Sequence, residues 1–305
     1  MDIAKLLSLQ GTLFAMMLVG ALMKRRGVID EGGKRCLSDL CINVVIPCNI
    51  FRSCLIEMDS GILRTCGLLL FSALLMQILC LLLNRYLFNR YPPQRKKVLQ
   101  YCTIVPMSGF LGNPIAEGLY DRIGVLYTSI FLIPMRVVMW SVGTTYFTAQ
   151  AEVDRRKVIK NVLTHPCLVA IYLGLFCTLT ALPLPTVLTE TVRYIGNCNS
   201  ALTMFIVGTI LAEVEPRALV NKDACVFSIL RLLLLPLAAY GIGLLLGLDR
   251  VSLGVSTLMS GMPAGATAAI FAARYGSDAH FATKCVVIST LLSMLTLPFW
   301  GWLVG

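Results

Sequence analysis

The chain is 305 residues long, 57% of them hydrophobic and only 14% charged, with a mean hydropathy of +0.79. Globular chains carry about 25% charged residues, so this composition excludes a soluble domain and points to a lipid bilayer. The net charge of +10 does not signal nucleic acid, because the basic residues form short clusters between apolar blocks without aromatic interleaving. No nucleic-acid partner is expected.

Each apolar block approaches the roughly 20 residues that cross a hydrocarbon core. In chain order they predict spans at 7–24, 38–56, 62–84, 98–120, 123–148, 161–182, 186–212, 223–247, 252–273 and 281–304. The first ends at Lys24-Arg25-Arg26 rather than at a small-residue cleavage site, so it reads as a retained span. Eighteen of the 26 Lys and Arg residues lie in the loops after odd-numbered spans, against five on the opposite side. The positive-inside rule then makes the odd loops cytoplasmic. It places both termini outside a plasma membrane, read here as the bacterial inner membrane.

The expected fold class is therefore an all-α polytopic membrane protein of ten transmembrane helices. Residues 1–150 form a first half of five spans, 151–160 a cytoplasmic connecting loop, and 161–305 a second half of five. An odd number of spans per half inverts the second half, the inverted-topology repeat of many secondary transporters.

Spans four and nine are the weakest on hydropathy and the most informative. Span four holds Pro106-Met-Ser-Gly-Phe-Leu-Gly-Asn-Pro114, and span nine holds Ser260-Gly-Met-Pro-Ala-Gly-Ala-Thr267. Proline removes a backbone donor and clashes with the preceding turn; with glycines beside it, the helix should break. Freed N–H and C=O groups inside a membrane must be buried in protein or line a hydrated cavity. Pro114 and Pro263, at similar places in the two halves, therefore mark two broken helices that cross at a midplane binding site. The bland alternative is a pair of structural kinks.

The second half of a broken helix starts with unpaired N–H groups and the positive end of a dipole. Two such ends suit a carboxylate. Asn113, Ser108 and Thr267 are candidates to bind it with their side chains, although such hydroxyls often bond back to their own helix. Arg136 should lie near Met107-Ser108, either attracting an anion or satisfying carbonyls freed by span four. Glu117, four residues after Asn113, shares its helical face. It is a candidate to take up a coupling proton, to line the pore, or to pair with Arg122. Asn43, Asn49, Asn197 and Asn199 occupy spans two and seven, for interhelical packing or, in Asn43 and Asn199, for contact with substrate. Arg231 is expected to pair with Glu213 or Glu215, and Glu190 with Arg193 along one helix face.

Twelve cysteines with no CxxC pair read as buried thiols rather than a metal or redox site. The only histidines are His165 and His280, and neither HExxH nor GxSxG occurs. An intramembrane enzyme is disfavoured, and neither a cofactor nor a metal is expected. A channel normally shows charge rings or carbonyl filters, which leaves a channel-like or uniport anion pathway as the alternative.

At these residues the sequence resembles the auxin efflux carrier family. The resemblance covers most of the chain and rests on several segments in order. They are Gly20-Ala-Leu-Met-Lys-Arg-Arg-Gly-Val-Ile-Asp30, Leu40-Cys-Ile-Asn-Val-Val-Ile-Pro47, Gly112-Asn-Pro-Ile115, His165-Pro166, Met262-Pro-Ala264, Arg274-Tyr-Gly276 and Ser289-Thr-Leu-Leu-Ser293. Many members carry an Asn-Thr pair where this chain has Met107-Ser108, and the plant hormone carriers have a long cytosolic loop that this compact chain lacks. The resemblance implies a fold related to bile acid–sodium symporters, with spans one, two, six and seven as scaffold and the rest as a mobile transport domain. It further implies elevator-like carriage of an organic anion, such as an auxin-like acid or a dicarboxylate like malate. A homodimer and coupling to protons or sodium are also expected.

Overall fold

A backbone that finds no water must satisfy its N–H and C=O groups internally, and the local solution is the α-helix. The structure, a computed structural model, describes residues 3–56, 59–147, 160, 163–180, 182–213 and 221–304. Every regular element among them is helical. They are α1 (Ile3–Arg25), α2 (Glu31–Cys54), α3 (Ser60–Tyr86), α4 (Pro93–Ile104), α5 (Gly112–Val138), α6 (Pro166–Leu179), α7 (Thr186–Ala212), α8 (Lys222–Leu245), α9 (Arg250–Ser260), α10 (Thr267–Arg274) and α11 (Ala279–Val304).

Five of these, α2, α3, α7, α8 and α11, are long and apolar enough to cross a bilayer unaided, and α5 with the short helix Ser141–Phe147 passes the same test as a bent pair. The chain is thus an all-helical, polytopic membrane protein. Expected span four is shared between α4 and the start of α5, and expected span nine between α9 and α10. The expected connecting loop at 151–160 lies outside the described residues except for Lys160.

The usual distribution of polarity is reversed. Leu18, Phe71, Leu82, Phe176 and Leu295 are exposed, whereas Ser72, Thr128, Ser256, Thr257 and Thr290 are fully buried. An apolar exterior costs nothing in lipid, and buried hydroxyls tie helices together. Ser72 of α3 and Ser256 of α9 share a hydrogen bond at 3.2 Å. α1 packs along the second part of α7, and the end of α2 packs on α6 and the first part of α7. The first contact needs glycine, since a β-carbon on Gly208 would fall on the Met17 carbonyl and one on Gly20 on Phe205.

Pro47 and Pro236 lie within continuous helices, α2 and α8. The residues before Pro47 and Pro236 widen into π turns at Cys41–Val45 and Leu230–Leu234, a common response to the clash with the carbonyl four residues back. For Pro236 that carbonyl belongs to Leu232, and the indole N–H of Trp300 donates to it at 2.8 Å.

α5 doubles back at Asp121, which has φ 52° and ψ −143°. That reversal lays the second arm of α5, with Arg136, against the crossover. The twelve cysteines are all free thiols, six of them buried, while Cys36 and Cys198 are exposed.

Candidate functional site

The two interruptions meet. Residues 105–107 and 263–265 run antiparallel, bridged at Pro106 and Ala264. The N–H of Met107 donates to the Pro263 carbonyl at 2.8 Å, and the N–H of Gly265 donates to the Val105 carbonyl at 2.9 Å. A side chain on Gly265 would crowd the Val105 carbonyl. The main-chain groups released by each break are thus taken up by the other.

Side chains brace this crossing from three directions. Ser108 donates to the Met259 carbonyl at 3.0 Å, and Ser289 of α11 accepts the Ala264 N–H at 3.0 Å. Arg231 of α8 donates from Nε to the Met262 carbonyl at 3.1 Å and from Nη1 to the Thr103 carbonyl at 2.6 Å. Arg231 therefore does not pair with Glu213, which accepts instead from Lys34, and Glu215 lies outside the described residues. The π turn ahead of Pro236 inserts one extra residue into the winding, and Arg231 is carried into the core, 2% exposed. The expected pair of Glu190 and Arg193 is present, with Nε donating to Oε1 at 3.1 Å.

Beside the crossing is a cavity of about 140 Å³. One wall is Val105–Met107, Gly109, Phe110 and Gly265–Thr267, which includes the start of α10. Arg136, Leu132, Met135 and Met139 contribute from the arm of α5 and the turn after it, and Ile42, Ile46, His165 and Cys167 close it from α2 and the start of α6. The surface is mostly apolar. Its main charge is Arg136, which is 5% exposed and whose Nη1 has no hydrogen-bond partner among the described residues. His165 caps α6, with Nδ1 accepting the Cys167 N–H at 3.3 Å; this leaves the proton of the neutral ring on Nε2.

Of the sequence candidates, Arg136 and Thr267 line this cavity, and Thr267 shares a hydrogen bond with the Tyr101 hydroxyl at 3.0 Å. Ser108 is fully buried and turned to α9. Asn113 is 1% exposed and does not line the cavity, with Oδ1 lacking a partner among the described residues. Pro263 lies in the crossing itself. Pro114 does not: it sits in the first turn of α5, where its missing N–H breaks no bond, so the interruption falls at 105–111. Asn199 is fully buried, and neither of its side-chain polar atoms is paired among the described residues. Asn43 is exposed and donates to the Asp39 carbonyl in its own helix at 2.9 Å, away from the others.

Glu117 belongs to a second, open cleft with Arg52, Tyr120, Asp121 and Arg122. Its partner is Asn49 of α2, whose Nδ2 donates to Oε2 at 3.0 Å, rather than Arg122. Arg52 donates to Asn197 Oδ1 at 2.5 Å. Among the described residues no cluster of His, Cys, Asp or Glu could hold a metal ion.

Sequence reasoning missed three members of the site. Arg231 was visible as a charge within a span but was given the wrong partner. His165 had been set aside as a helix start, and nothing in the sequence singled out Tyr101.

Comparison with known proteins agrees with this architecture. The profile of a family described as membrane transport protein matches residues 11–301. An uncharacterized transporter of Methanothermobacter thermautotrophicus is 28% identical over 95% of each chain. The uncharacterized transporter YfdV of Escherichia coli K12 is 22% identical over 94% of each. A rice protein, "probable auxin efflux carrier component 1c", is 23% identical over 48% of this chain and 25% of its own length.

Proposed function

The chain belongs to the auxin efflux carrier family of membrane transport proteins, and from that premise we propose that it is a secondary carrier moving a small organic anion by elevator-type alternating access. The observation that carries this reading is the cavity. Its far wall is α2 and the start of α6, and its near wall is the crossing of the two interruptions with Arg136.

A site on such a boundary can change sides if the near wall slides along the far one. Reciprocal packing supports the division: α1 pairs with α7 and α2 with α6, while α3 pairs with α5 and α8 with α9. We read it as a ten-span, five-plus-five inverted repeat with α1, α2, α6 and α7 as scaffold, a reading that rests on the expected spans and the family resemblance. The basic-residue bias supports termini outside the plasma membrane, and the family resemblance supports a homodimer.

Arg136 supplies the charge that an anion would meet, aided by the helix start at Thr267. A single cation in apolar walls suits one carboxylate on an apolar body better than a dicarboxylate, whose second charge would lose water without a partner. The name of the rice relative fits such an acid. Glu117, joining α5 to the scaffold through Asn49, is our candidate for proton coupling.

Uptake of a panel of radiolabelled carboxylates into proteoliposomes, under imposed pH, sodium and voltage gradients, tests the reading. Saturable uptake of an apolar monocarboxylate supports it. Conductance at ion-channel rates contradicts it.

A further inference from the structure

Arg231 lies in a place where other chemistry would put a metal ion. It is buried, and it takes part in no ion pair among the described residues. Its hydrogen bonds reach the carbonyls of Thr103, in the last turn of α4, and Met262, just past the end of α9. Each of these helix ends carries the negative pole of its dipole and unpaired carbonyls. Unwound carbonyls and half-helix C-termini are the groups that hold a coupling cation in broken-helix transporters.

The guanidinium has polar neighbours and a small space beside it. A cavity of about 20 Å³ adjoins the guanidinium, lined by Gln77, Cys80, Thr103 and Ser260 among others. Gln77 donates to the Ile104 carbonyl at 3.4 Å, while its own Oε1 is buried without a partner among the described residues. One more acceptor therefore faces the region that already collects two carbonyls.

We infer that Arg231 is a tethered stand-in for a coupling sodium ion, a positioning residue that holds the ends of α4 and α9 together and makes the crossing independent of Na⁺. A guanidinium is suited to this, since it stays charged and its several donors reach carbonyls in different directions. Being part of the chain, it cannot be released at either side of the membrane, so it cannot transmit a sodium gradient. The inference rests on the carrier reading only for its consequence for coupling; the geometry stands apart from it.

Thermal unfolding of the purified protein, in NaCl and in choline chloride of equal ionic strength, tests this without knowledge of the cargo. Wild type and Arg231→Lys should melt at the same temperature in both salts. Arg231→Ala should melt lower in choline and be restored by several degrees, saturably, as Na⁺ occupies the vacated carbonyls and Gln77. A saturable Na⁺ response in the wild type, or a folded Arg231→Ala blind to Na⁺, would overturn the inference. Should Arg231→Ala yield no folded protein, Arg231→Gln takes its place and the wild-type arm still decides. Absence of uptake for every carboxylate would count against the carrier reading and leave the thermal result standing.

Discussion

The main-chain N–H of Met107 donates to the carbonyl of Pro263, 2.8 Å away, although 156 residues separate them in sequence. Each interrupted helix thereby satisfies the other. An interruption that would be prohibitive in lipid becomes stable only as one of a pair, and the crossing forms one wall of the cavity that Arg136 lines.

Arg136 is predicted to govern affinity. A hydrogen bond to a charged group contributes about 1.5–3 kcal/mol, so Arg136→Gln should raise the KM for the transported anion about 10-fold or more. Arg136→Lys should recover part of that loss. Initial rates in proteoliposomes measure both, and an unchanged KM would remove Arg136 from the site.

Asn113→Ala is predicted to abolish transport while leaving folding intact. The amide lies in the first turn of α5, buried, with Oδ1 unpaired among the described residues, so its loss leaves no new unsatisfied partner among them. Size-exclusion behaviour and melting should match wild type. Wild-type kinetics in this variant would show that Asn113 only packs.

Glu117→Gln separates coupling from carriage. The amide still accepts from Asn49, and the neighbouring Arg52, Asp121 and Arg122 are untouched, but no proton can be exchanged. An acid-outside pH gradient should drive accumulation in wild type and not in Glu117→Gln, with downhill exchange retained in both. Equal accumulation in the two would end the case for Glu117.

Gly208→Val should separate α1 from α7. The added carbon meets the Met17 carbonyl, and overpacking of this kind costs about 1–3 kcal/mol. A lower melting temperature in detergent is expected; an unchanged one would mean that the helices can part without loss.

Asp121→Gly should act in the opposite sense. The aspartate holds φ 52°, a conformation that costs a side-chain-bearing residue about 1–3 kcal/mol. Part of that is offset by the greater chain entropy of glycine, so a rise in melting temperature of a few degrees is expected.

How much of this could be read beforehand differs by kind of signal. Composition gave the membrane environment, and Pro-Gly clusters gave both interruptions, because each is a local property of the chain. Arg136 is expected from the sequence to lie near Met107-Ser108, and Arg136 and Met107 line one cavity. Long-range pairing was not legible. Pro114 looked like the counterpart of Pro263, but helix geometry makes a proline harmless in a first turn, and Val105–Met107 takes that role instead. Arg231 was given an acid because the sequence shows charges and not carbonyls. Asn43 was chosen for its position within a span, yet the winding of α2 turns it outward.

The cavity at the crossing is proposed to carry an anion from one side of the membrane to the other. Accelerated counterflow in proteoliposomes is the decisive test: internal unlabelled anion should speed entry of the labelled one. Counterflow is expected in wild type, and its loss in Arg136→Gln. Flux that ignores the internal anion and rises linearly with concentration, equal in both proteins, would contradict it.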